Sequence, residues 1–166
     1  MEANVITYVS AISSDVFAML SGVVLLVALG LSKGRHILLS LVFAFYPAVL
    51  LTTYFPFYGM LPIDSVTSAA EMERLALFFL VTLFCFFVIR PYVRVGYRHR
   101  GFWGLIETVA LSLTLVGFVI AALYHVVGFD SYYGFSGLAD TLFASSTAWL
   151  LWQFAPIASI LLFVRP

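Results

Sequence analysis

Long apolar stretches separated by short polar segments dominate this sequence. No Asp, Glu, Lys or Arg occurs between Asp15 and Lys33, Arg35 and Asp64, Arg74 and Arg90, Glu107 and Asp130, or Asp140 and Arg165. A helix rises about 1.5 Å per residue, and roughly 17 to 25 apolar residues cross the hydrocarbon core of a bilayer. Four of the windows, within residues 16–32, 37–57, 108–129 and 141–164, meet that length directly. The remaining one, residues 75–89, makes only about 22 Å of helix. Upstream of it, Ser68 and Glu71 form an S-x-x-E capping box, which extends the helix to about residues 69–90. A membrane-spanning barrel would instead show segments of alternating polarity, whereas residues 75–89 and 109–127 are apolar on both faces. The pattern predicts an all-α integral membrane protein, a five-helix transmembrane bundle forming one domain over residues 1–166. Its spans are expected at about 16–32, 37–57, 69–90, 105–128 and 142–164.

Charge gives this bundle a direction. Lys33, Arg35, Arg90, Arg94, Arg98, Arg100 and Arg165, seven of the eight bases, fall on one side of the five crossings. The other side carries Arg74 with Glu2, Asp15, Asp64, Glu71, Glu73, Asp130 and Asp140. Basic loops stay in the cytoplasm, so the N-terminus is expected outside and the C-terminus inside. Glu2 and the lack of a basic leader predict that the first span is retained and not cleaved. Composition agrees: 63% of residues are hydrophobic and 10% charged, against roughly one quarter charged in soluble domains. The net charge of zero supplies no general attraction for nucleic acid. A lone cysteine, Cys85, excludes an internal disulfide and a cysteine-based metal site.

Outside the spans, Val5, Val9 and Ile12 recur at helical spacing. They predict either a short amphipathic helix on the outer surface or an extension of the first span. Residues 58–67, with Gly59 and Pro62, read as an ordinary turn-rich loop. The run from Arg90 to Arg100 mixes bases with aromatics, and Pro91 suits the first position of a new helix that would put Arg94 and Arg98 on one face. Arg90, Arg94, Arg98, Arg100 and Trp103 are therefore expected to meet lipid headgroups or a partner. Membrane lipids are the expected partners, with other membrane subunits or a second copy of the chain beside them. No nucleic-acid module is present. The aromatic crowding of Phe78, Phe79, Phe84, Phe86 and Phe87 predicts lipid contact or helix packing.

Three polar residues near or within the spans are the functional candidates. Glu107 lies at the cytoplasmic interface, where a helix dipole favours a carboxylate and Arg94, Arg98 or Arg100 can pair with it. Interfacial anchoring is favoured over a proton relay, although an acid at membrane depth is a functional candidate by default. His125 lies nearer the outer side, where Asp130 or Asp140 can pair with it, and no second histidine nearby suggests a metal. Gln153 follows Trp149 and Trp152 and precedes Pro156. If the last helix starts near Thr141, Gln153 approaches the bilayer centre and needs a partner there. If Ser145, Ser146 and Thr147 cap a helix beginning near Ala148, residues 138–144 lie along the surface and both tryptophans join the outer aromatic belt, the placement slightly favoured. Small residues four apart, among them Ala18 and Gly22, Ala44 and Ala48, and Gly117 and Ala121, permit close helix contacts.

No G-x-S-x-G, H-E-x-x-H or phosphate-binding glycine loop occurs, and no metal or cofactor is expected. Glu107 and His125 would stand about 27 Å apart on one straight helix, too far to share a reaction. A non-enzymatic role is therefore expected. The alternative is a small transporter or channel subunit in which Glu107, His125 and Gln153 face a common polar path.

The order of elements adds a family expectation. A first helix, a turn at Gly34 and Arg35, a second span, and a third helix entering a basic turn are followed by Arg100, Gly101, Phe102, Trp103 and Gly104 before the fourth span. This order resembles the colicin V production family of small bacterial inner-membrane proteins over about residues 14–127. No further Gly-x-x-x-Gly follows Gly104 here, and the fifth apolar span is stronger than the resemblance leads one to expect. The resemblance implies a role in envelope maintenance or export in a bacterial inner membrane, with no catalytic residues.

Overall fold

A computed structural model of the chain describes residues 2–54, 68–93, 102–128 and 136–163. These residues form α1 (Glu2–Lys33), α2 (Arg35–Thr53), α3 (Ser68–Ile89), α4 (Phe102–Ala122), α5 (Gly137–Phe143) and α6 (Ser146–Phe163), with no strand among them. A π turn, Leu123–Val127, continues α4. The stretches Asp15–Lys33, Arg35–Thr53, Met72–Ile89 and Phe102–Val127 are long and apolar enough to cross a membrane. The apolar helix Ser146–Leu162 is shorter than these four.

Helix boundaries follow local chemistry. Gly34 alone separates α1 from α2, with φ 97°, a left-handed conformation that costs glycine little. Its N–H donates to the Gly30 carbonyl at 3.0 Å, closing α1. α1 is continuous from Glu2, so residues 5–12 extend the first helix and do not form a separate element. α3 begins at Ser68, upstream of the charge-free window as the capping box predicts. At its other end the Tyr92 N–H donates to the Ile89 carbonyl at 2.9 Å, and Pro91 lies in the turn that closes α3. Pro91 thus ends a helix where the sequence reading had it open one; its ring cannot continue the hydrogen-bond ladder behind it. The contacts of residues 94–101 lie outside the described residues, as does the loop at 58–67.

The last apolar segment is divided. Ala144 and Ser145 separate α5 from α6, and the Ala148 N–H donates to Ser145 Oγ at 3.0 Å. That is the geometry of a serine N-cap, which satisfies one of the orphan donors of the first turn. A single helix over 142–164 is therefore replaced by a short helix and a capped longer one.

Two helices form the interior. Over half of the α2 window is buried (56%) and half of the α4 window (50%), against 11% for α1 and 17% for α3. α2 packs on α1, α3 and α4, while α4 packs on α1, α2 and α6. Val42, Phe45, Ala48 and Val49 of α2 meet Phe78 of α3 and Leu115, Phe118 and Ala122 of α4 in the main core. In lipid, apolar burial alone drives helices together only weakly, and close fit matters more. Small side chains supply that fit. Ala44 and Ala48 are fully buried, and a Cβ on Gly30 would come within 2.6 Å of Leu38 and 2.8 Å of Thr108. Phe17, Leu20, Phe79, Phe84, Phe87, Leu151 and Leu161 remain exposed, an apolar exterior of the kind lipid requires.

Candidate functional site

At the end of the bundle where Gly34 joins α1 to α2, Arg35 and Glu107 form an ion pair. Their side chains are 16% and 7% exposed, so the pair is largely withdrawn from solvent. Arg35 opens α2, where the positive end of the helix dipole disfavours a cation. Glu107 approaches it from the second turn of α4 and offsets that cost. Gly30 and Thr108 are in close contact beside the pair, and Thr108 Oγ1 donates to the Gly104 carbonyl at 2.7 Å. The pair joins α2 to α4 beside the point where Gly30 lets α1 come close to α4. The sequence reading expected Arg94, Arg98 or Arg100 as partner of Glu107, and those three lie outside the described residues. The charge map does hold the signal for Arg35, which shares the basic side of the bundle with Glu107.

His125 and its neighbour Tyr124 lie at the other end of α4, in the π turn. Tyr124 donates its hydroxyl to Asp140 Oδ1 at 2.9 Å, and His125 Nε2 lies 3.0 Å from the Phe143 carbonyl. A carbonyl only accepts, so Nε2 carries the hydrogen in this contact. Both bonds hold α5. Nearby, the Ser136 N–H donates to Asp15 Oδ2 at 2.6 Å, tying the start of α5 to α1. Asp15, expected only to bound a span, is buried and links two elements.

Gln153 takes part through its backbone. Tyr46 of α2 donates its hydroxyl to the Gln153 carbonyl of α6. Pro47 and Pro156 lie close in sequence to the two partners and deprive the Phe43 and Trp152 carbonyls of their usual helical donors. The two tryptophans of α6 turn onto the bundle. Trp152 occupies the space that a Cβ on Gly117 would need, and donates Nε1–H to the Leu142 carbonyl at 3.0 Å. Trp149 stacks on Phe118 with ring centroids 6.1 Å apart and lies 5.2 Å from the His125 ring. Phe118 in turn meets Phe45 at 6.3 Å, and Phe45 meets Phe78 at 5.8 Å. A seam of rings thus runs from α3 through α2 and α4 to α6. Such contacts contribute about 0.5 to 1.5 kcal/mol each beyond burial.

Glu107, His125 and Gln153 consequently occupy three separate contacts. Arg90 and Trp103 are exposed, and the Arg90 guanidinium lies 5.9 Å from the Phe86 ring centroid. Among the described residues no three His, Cys, Asp or Glu side chains are grouped as a metal site would need. Comparison of the chain with protein-family models, with curated proteins and with solved structures gave no match.

Proposed function

We propose that this chain is a non-enzymatic envelope, export or assembly factor of a bacterial inner membrane, acting through helix packing and lipid contact. The observation that carries this reading is the use of its intramembrane polar groups. Glu107 joins α4 to α2, His125 holds α5, and the Gln153 carbonyl receives Tyr46, so each polar contact links one helix to another. A conducting path needs polar groups that meet one another along a hydrated route. The exposed basic and aromatic side chains Arg90 and Trp103 suit headgroup contact. The reading takes α6 as a fifth crossing, with the N-terminus outside and the C-terminus cytoplasmic. It is the role that the resemblance to the colicin V production family also implies.

Topology is tested by single cysteines in a Cys85→Ser background. Asp64→Cys and Arg98→Cys are expected to react with a membrane-impermeant maleimide from opposite sides of oriented vesicles. Reaction of both from one side would remove the proposed orientation. Function is tested by proton and potassium flux in proteoliposomes. The parent chain and Glu107→Gln are both expected to match protein-free vesicles. Flux by the parent above that level would overturn the assembly reading, and its loss in Glu107→Gln would locate the path.

A further inference from the structure

We propose that the chain dimerises within the bilayer, two copies meeting along α6 and pairing the side-chain amides of their Gln153 residues. The inference rests on α6 crossing the membrane, and on neither the direction of the crossings nor a role in assembly.

The fold uses Gln153 through its backbone. Its carbonyl accepts the Tyr46 hydroxyl, while its side-chain amide makes no hydrogen bond among the described residues. Other polar side chains in the apolar helices are satisfied locally: the hydroxyls of Ser21, Ser32 and Thr114 each donate to a carbonyl of their own helix. Gln153 is partly exposed, with two amide donors and a carbonyl oxygen still to be paired.

Depth makes that need acute. Gln153 lies about 10 Å along α6 from Ser146 and about 15 Å from Phe163, so it stands well inside the hydrocarbon when α6 crosses. Snorkelling to a headgroup is the resource of long lysine and arginine stems near helix ends. A lipid tail offers no hydrogen-bonding group, and an amide left unpaired in such surroundings is costly. The partner must therefore be another polypeptide.

Position on the helix decides which face receives it. Ser146, Leu150, Gln153 and Ile157 recur at intervals of four, three and four, the spacing of a seam along one side of a helix. Leu150 and Ile157 are exposed, whereas Pro156 and Ser159 are buried on the side that packs against the bundle. A second helix laid on this seam meets apolar side chains above and below one amide. Polar side chains of this kind join helices in membranes where apolar contact gives little preference over lipid.

Symmetry identifies the partner as a second copy. Two chains inserted in the same direction and related by a two-fold axis along the membrane normal place their Gln153 residues at equal depth. An amide is self-complementary: each can donate to the carbonyl oxygen of the other, which gives two hydrogen bonds across the axis. A partner of different sequence would have to carry a matching group at that same depth.

The test uses the full chain in a Cys85→Ser background, reconstituted in phosphatidylcholine vesicles, with fluorophores on Arg98→Cys. Energy transfer between donor- and acceptor-labelled copies is expected to rise with the protein-to-lipid ratio as a dimer requires. Gln153→Leu should weaken association about tenfold, and Gln153→Asn, which keeps the amide, should weaken it less. Because Leu retains the carbonyl that Tyr46 uses, the helix content of Gln153→Leu should equal that of the parent. The face is mapped by oxidation with copper phenanthroline: Ile157→Cys should give a disulfide-linked dimer and Leu151→Cys, about 120° away around α6, should not. A parent that stays monomeric, association equal in the parent and Gln153→Leu, or equal cross-linking of the two cysteine variants would each overturn the dimer. Reaction of Ile157→Cys with a water-soluble maleimide in intact vesicles would instead remove the crossing of α6, on which the dimer rests.

Discussion

Glu107→Ala is expected to lower the stability of the detergent-solubilised protein by about 3 to 5 kcal/mol, read as a fall in the midpoint of thermal unfolding. The substitution strands the Arg35 guanidinium, 16% exposed and at the unfavourable end of a helix dipole, without its counter-charge. The pair itself is a different matter. Bringing both charges out of water costs nearly as much as their attraction returns, so replacing both with apolar residues of similar volume is close to neutral. Arg35→Leu together with Glu107→Leu should therefore recover most of the stability lost in Glu107→Ala. A double variant no more stable than the single one would mean that the charges themselves hold α2 to α4, and that the stranded arginine is not the cause of the loss.

Gly117→Leu is the second large disturbance, because the space its side chain would need is occupied by the Trp152 indole. Overpacking of a tight contact costs about 1 to 3 kcal/mol and occasionally more. Here the ring also has its Nε1–H bonded to the Leu142 carbonyl and stacks on Phe143 at 5.2 Å, so displacing it breaks several contacts at once. A thermal midpoint well below that of the parent is expected. Trp152→Ala is destabilising on its own, but in the Gly117→Leu background it should cost much less, since the collision is already relieved. The coupling from the double-mutant cycle should lie between about 0.5 and 3 kcal/mol. Strictly additive effects would show that the α4 and α6 backbones do not approach each other at this position.

The spans were legible because length and the absence of charge are properties of a single segment. Residues 16–32 and 75–89 need no knowledge of their neighbours to be read as membrane helices. Gly117 and Ala121 likewise indicated close contact by their size, although the indole that fills the space comes from α6. Pairings were harder. Glu107 has several bases at a similar depth, and sequence distance favoured those just before α4 over Arg35, 72 positions away in the chain. Which base it meets is decided by the closeness of α1, α2 and α4 around Gly30, a property of packing. The ends of α6 were ambiguous for a related reason. Thr141 and Ser145 are both acceptable caps, and the choice follows from α5 being held by Tyr124 and His125. The Tyr46 bond to the Gln153 carbonyl left no trace in the sequence, because the acceptor is a backbone group that every residue carries.

The π turn at the end of α4 has a geometric consequence for α5. Successive side chains in an α-helix diverge by about 100°, and a wider turn reduces that angle. Tyr124 and His125, adjacent in the chain, can thus reach side by side in azimuth to Asp140 and to the Phe143 carbonyl, three residues apart on the same short helix. They act as a two-pronged bracket. Gly128, with φ 72°, donates its N–H to the Leu123 carbonyl and closes the widened turn behind them. Seven residues are too few to hold a helix by their own ladder, so α5 owes its bearing to the widened turn at the end of the helix before it.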